Sequence, residues 1–204
     1  MLMLNKKKLS RILFAITYLI FAYLIIKLFF ADVMYAQSRN AIGKGDIETA
    51  THNIDSAILY NPNEPRYFLE RAKILTIIGS TKDLNLNPEI KIGALESLEK
   101  AEQLNSKNIV VLRNSMSIYY FLGFENINSN LQLSFVDEEY KKVASDKFEQ
   151  LKATYPNDLG IFVLVAPLEK NLDLKNEFNS TIKKIEKLRP DLLDWYIPIK
   201  SLVD

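Results

Sequence analysis

The residues able to do chemistry are few, and their types set tight limits. His52 is the single histidine of the chain, and cysteine is absent. That excludes a thiolate nucleophile, a thiolate metal site and a disulfide. It also excludes a metal site built on several histidines, or a Ser/His/Asp triad resting on any other histidine. His52 stands two positions after Ala50, between Thr51 and Asn53. That register puts it on the outer face of a helix, exposed or locally hydrogen-bonded rather than catalytic. Gly43, Lys44, Gly45 and Asp46 invite a phosphate-loop reading, but they lack the G-x-x-x-x-G-K-[ST] spacing and follow no strand. They read instead as a turn between helices. Asp137, Glu138 and Glu139 form a carboxylate run at a helix start, where they favour the positive end of the macrodipole. A glycosidase needs two acids converging in a cleft, and no spacing here singles out two. The residues imply no enzyme, no metal and no cofactor.

Composition bounds the rest. The chain has 204 residues, 48% of them hydrophobic, and a net charge of +1. A nearly neutral chain gives no general case for a nucleic-acid partner, which needs a basic face. Six glycines and seven prolines argue against an all-β fold with many tight turns. With the N-terminal segment set aside, roughly 170 residues remain, enough for one domain with a core.

Ile12 to Phe30 is apolar except for Thr17 and Lys27. As a helix it spans about 28 Å, close to the hydrocarbon thickness of about 30 Å. Lys6, Lys7, Lys8 and Arg11 precede it, which keeps that end cytoplasmic by the positive-inside rule. Lys27 is about one turn from the far end and can snorkel to the headgroups. The competing reading is a cleaved signal peptide. Cleavage after Ala31 or Ala36 would put Phe29 or Met34 at the −3 position, where a small residue is wanted. The anchor is the better fit. It predicts a single pass through the cytoplasmic membrane over residues 12–30, N-terminus inside and the remainder outside.

Beyond the span a ladder of small and apolar residues recurs. Gly45, Ala50, Ile54, Ala57 and Pro62 lie at offsets 0, 5, 9, 12 and 17. The inner spacing returns as Ala94, Leu98, Ala101, Ser106; as Ala144, Phe148, Leu151, Pro156; and as Phe178, Ile182, Ile185, Pro190. The first half of the unit recurs in the 17-residue steps from Pro62 to Gly79, Ser106 to Gly123 and Pro156 to Asp173. A small residue lets the second helix of a pair approach the first, and the apolar residues four and seven positions on share its face. Glycine suits a left-handed turn before that helix, Asp46 its N-cap, and proline its end. One pair cannot bury its apolar face alone, so pairs must stack.

The pattern of Ala50, Ile54, Ala57 and Pro62 resembles the tetratricopeptide repeat. Together with the apolar span, the resemblance implies an all-α chain: a cytoplasmic basic tip and transmembrane anchor over residues 1–30, an α-solenoid of about four TPR-like helix pairs over 31–192, and a short capping helix over 193–204. The four units would be 31–64, 65–108, 109–158 and 159–192. In the fourth, Phe178 replaces the small residue and Pro167 falls inside the first helix, which predicts a kink or break there. Two units carry insertions, Ser80–Pro88 and Glu125–Val136. They read as a longer second helix plus a loop or, more sharply, as loops that touch a partner.

In this family ligands lie along the first helices of the pairs. The resemblance then implies a groove of Tyr35, Arg39, Arg66, Leu69, Lys73, Arg113, Tyr120 and Phe121, basic and aromatic with almost no acid. Such a groove suits a protein or peptide partner offering an acidic group or chain terminus, or an anionic glycan. More loosely, the run from the apolar span into residues 31–75 resembles the C-terminal tail of bacterial O-antigen ligase/polymerase-like membrane proteins. That likeness implies an alternative role as an accessory or split part of a cell-surface polysaccharide ligase system, without the glycosyl-transferring part. The leading expectation is a membrane-anchored interaction scaffold.

Overall fold

The computed structural model of the chain describes residues 6–82, 88–125 and 136–190. Among them run eight helices: α1 (Lys6–Gly43), α2 (Ile47–Tyr60), α3 (Pro65–Lys82), α4 (Pro88–Leu104), α5 (Ile109–Leu122), α6 (Glu138–Thr154), α7 (Leu159–Asn171) and α8 (Lys175–Leu188). Their sequence of hairpins is an all-α solenoid. The chain divides into two compact units, residues 1–67 and 68–204.

In the first unit α1 runs unbroken for 38 residues, about 57 Å. Between Lys6 and Gly43 there is no proline or glycine to interrupt it. Its first part, from Leu9 to Phe30, exposes large apolar side chains around the whole circumference. Its last part packs against α2 through Ala31, Ser38 and Ala41, all buried. The Ser38 hydroxyl donates to the Ala50 carbonyl at 2.8 Å, which requires close helix backbones. Opposite lie Ala50, Ile54 and Ala57, fully buried. Gly45 takes φ 75° in the turn, and the Asp46 carboxylate caps α2 by accepting from the Thr49 N–H at 3.1 Å.

The second unit is built around a core of Ala94, Leu98, Met116, Tyr119, Ala144, Phe148, Leu151, Ile161 and Leu172. The ladder residues of α4 and α6 therefore form the buried face of each helix. Asn108, Asp137 and Asp158 cap α5, α6 and α7 with their side-chain oxygens. Ile182 and Ile185 of α8 pack on Phe162 and Ala166 of α7.

Several expectations are corrected. Gly79 does not turn the chain: α3 continues through it to Lys82 with Gly79 buried. A helical glycine costs about 1 kcal/mol relative to alanine, less than the roughly 1.5–3 kcal/mol contributed by burying an apolar side chain such as Ile74 on the same helix. Gly123 ends α5 at φ −65°, not in the left-handed region. Its missing side chain serves close packing, since a Cβ there would come within 2.8 Å of Leu172 Cδ2. Asp173 does take the left-handed conformation, φ 55°, at the position the repeat gives to glycine; aspartate tolerates it better than most residues. Pro167 does not break α7, which runs from Leu159 to Asn171. Buried Val165, Ala166 and Glu169 hold the helix on either side of the proline. The expected cap over 193–204, with Trp195 and Tyr196, and the middles of both insertions lie outside the described residues.

Candidate functional site

The polar chemistry of the second unit is concentrated between helices. On α6, Lys147 donates to Glu102 Oε2 of α4 at 2.6 Å, while the Tyr119 hydroxyl of α5 donates to the other oxygen at 2.9 Å. Burial first, then the Glu102 charge, pushes the Tyr119 hydroxyl far above the ordinary phenol range. Lys152, also on α6, donates to Glu169 of α7 at 2.7 Å and to the Thr181 hydroxyl of α8 at 2.8 Å. Glu169 is completely buried, and its Oε2 has no hydrogen-bond partner. Burial raises its pKa, with Lys152 and Thr181 pulling the other way. At the start of α6, Lys91 of α4 donates to Asp137 Oδ2 at 2.6 Å, and its ammonium lies 4.6 Å from the Tyr140 ring centroid. Burial would raise the Asp137 pKa, but Lys91 and the Tyr140 and Glu139 N–H groups hold it below the usual value. Asp137 is thus both helix cap and ion-pair partner. These three lysines, spaced on ordinary-looking polar positions, gave no signal in the sequence. They tie neighbouring helices together.

Three of the groove candidates meet in the first unit. Tyr35 lies on α1, with Arg39 one turn further along the same face and Arg66 at the start of α3. The guanidinium carbons of Arg39 and Arg66 are 5.9 and 5.8 Å from the Tyr35 ring centroid. The Tyr67 ring lies 5.3 Å away at 36°, and its hydroxyl donates to Asp32 Oδ1 at 2.7 Å. Arg66 Nε donates to Glu64 at 2.7 Å, and its Nη2 is 3.9 Å from Asp32. The Glu64 hydrogen bond raises the Arg66 pKa. This corrects the picture of a nearly acid-free set: two carboxylates lie against Arg66. Arg39 differs, being exposed and without a carboxylate partner among the described residues.

In the second unit the candidates are dispersed. Lys73 faces Glu70 on its own helix, 3.9 Å away. Arg113 is exposed on α5, its Nη2 3.8 Å from where a Cβ on Gly160 would stand at the first turn of α7. Tyr120 is only 7% exposed and stacks edge-on against Phe121 and Phe124 at 5.3 and 5.1 Å. Its ring belongs to the core rather than to a ligand surface, a correction that follows from the apolar collar on both sides of it. Leu69 and Phe121 also pack against that core. His52 is exposed. Among the described residues no group of three His, Asp or Glu side chains is placed to hold a metal ion.

No protein-family model matches the chain, and no curated protein matches it. Solved structures do. A thermophilic TPR protein of Thermus thermophilus superposes with a TM-score of 0.59 at 16% identity, covering 85% of this chain and 81% of that one. A double mutant of MamA from RS-1 gives 0.53 at 13% identity, covering 84% and 82%. At these identities the likeness is one of fold: the chain is a tetratricopeptide-like helical repeat.

The buried pair on α6 and α7 makes a direct prediction. Lys152→Met leaves the Glu169 charge buried without its cation, and should destabilise the fold by about 3–5 kcal/mol. Because the folded carboxyl then holds its proton more tightly than the unfolded one, stability should fall as pH rises above the ordinary glutamate value of 4.5. Lys152→Met with Glu169→Leu should recover most of the loss and remove that slope. Urea unfolding of the detergent-solubilised chain, followed by circular dichroism, measures both.

Proposed function

We propose that this protein is a membrane-tethered interaction scaffold. Residues 12–30 cross the cytoplasmic membrane once, the basic tip stays inside, and the repeat domain stands outside to hold a protein or peptide partner near the bilayer. The observation that carries the reading is α1 itself. A helix apolar on every side over the length of a bilayer core, and unburied within the protein, has a large cost in water that a membrane removes. The Lys6, Lys7, Lys8 and Arg11 flank supplies the orientation.

The contact surface of this reading is the face carrying Tyr35 and Arg39. A flat aromatic ring beside an unpaired guanidinium suits a carboxylate on a peptide side chain or terminus, bound bidentately with the aliphatic part against the ring. An anionic glycan offers similar groups and is the second ligand class. Arg66 is the weaker contributor, because Glu64 and Asp32 already engage it.

Two outcomes are expected. A reporter active only outside the cytoplasm, fused after Asp204, should be active, and a cytoplasm-only reporter at the same place should be silent; the reverse pattern would overturn the orientation. The full chain, extracted in detergent and used as bait, should lose its partner on Arg39→Glu with helicity unchanged. Undiminished capture would move the contact off this face.

A further inference from the structure

The hairpin of the first unit returns to the level at which α1 ends its apolar stretch. The Ser38–Ala50 hydrogen bond sets the register of α1 against α2. From Ser38 back to Phe30 is eight residues, about 12 Å of helix; from Ala50 forward to Leu59 and Tyr60 is nine and ten residues, about 14–15 Å. The antiparallel helices therefore bring the end of α2 level with Phe29 and Phe30. The rings agree: Tyr60 and Phe30 have centroids 6.3 Å apart. Leu59 beside it is 76% exposed, as much as any large apolar side chain of the span.

A lone exposed leucine on a helix needs no explanation. This one adjoins Tyr60, whose ring lies 6.3 Å from that of Phe30, so a second helix carries apolar surface at the level where the span ends. Just above it, about half a turn beyond Phe30 on α1 and around the start of α3, come Asp32, Glu64 and Arg66. An apolar level that carries a tyrosine, with a charged layer directly above it, is the order of a bilayer surface, where tyrosine sits at the headgroup level.

Resting on the membrane reading above, we infer that the C-terminal end of α2 is a second membrane contact: Leu59 and Tyr60, level with Phe29 and Phe30, both reach the boundary between the headgroups and the acyl chains. One span fixes the depth of the first hairpin but leaves it free to lean. A foot on a second helix, beside the first, fixes the lean as well, because tilting the hairpin away would draw Leu59 out of the lipid.

The chain has no cysteine, so single cysteines can carry an environment-sensitive fluorophore without background. Three sites are compared in phosphatidylcholine/phosphatidylglycerol vesicles holding the full chain: Phe21→Cys in the span, Leu59→Cys at the foot, and Glu48→Cys at the opposite end of α2. Quenching is read from lipids spin-labelled near the top of the acyl chain and from aqueous iodide. Lipid quenching with iodide protection at positions 21 and 59, and the opposite at 48, is the expected result. Lipid quenching at 21 alone would overturn the second contact while leaving the span intact. Lipid quenching at both 59 and 48 would also overturn it, since the contact would not be confined to the foot. Iodide quenching at all three would overturn the membrane reading itself.

Discussion

The rest of the structure depends on α1 remaining helical past Phe30. The same backbone is asked to satisfy two surroundings. Up to Phe30 its side chains are apolar on all sides; from Ala31 onward the small Ala31, Ser38 and Ala41 are buried against α2 while Asp32, Gln37, Arg39 and Asn40 meet solvent. Because every peptide group through this change keeps its helical hydrogen bond, no loop intervenes between the apolar stretch and the first repeat hairpin. In the proposed function that continuity turns an anchor into a stalk whose direction is fixed by the first hairpin.

Within the second unit the equivalent role falls to α6. Its buried face is apolar, with Ala144, Phe148 and Leu151, yet its flanks send Lys147 and Lys152 to carboxylates on α4 and α7, while its cap Asp137 receives Lys91. Hydrophobic packing is indifferent to small rotations of a helix about its axis. Buried, paired charges are not, because a misplaced partner leaves an ion without compensation. The ladder brings the helices together; the lysine–carboxylate pairs choose their rotation. The net gain of each pair over an apolar replacement is small, which is why the cost appears only when one partner is removed.

Much of this was legible in the sequence because it follows from periodicity. Ala50, Ala94 and Ala144 are small where helices touch, and their partners four and seven residues on are apolar, so the buried faces could be read directly. The turn at Gly45 and the cap at Asp46 were legible for the same local reason. What failed was finer. Gly79 and Gly123 share a repeat position with Gly45 but not its conformation, since an insertion lengthens α3 past the first and Leu172 crowds the second. Pro167 looked like a break, yet burial of its neighbours outweighs the lost bond. The lysine pairs were invisible because their partners are 17 to 46 positions away. Tyr120 was placed on the wrong side of its helix, and the carboxylates beside Arg66 come from a turn and from α1, neither of which the repeat pattern ties to it.

The central claim is that α1 is one rigid element through the change of surroundings. Spin labels at Phe21→Cys and Asn40→Cys, both exposed positions, measure it in vesicles by pulsed dipolar spectroscopy. A continuous helix places their backbones about 28 Å apart and gives a single narrow distance distribution near that value, broadened only by the labels. A broad distribution reaching to short distances would mean a flexible joint after Phe30, and would contradict the account.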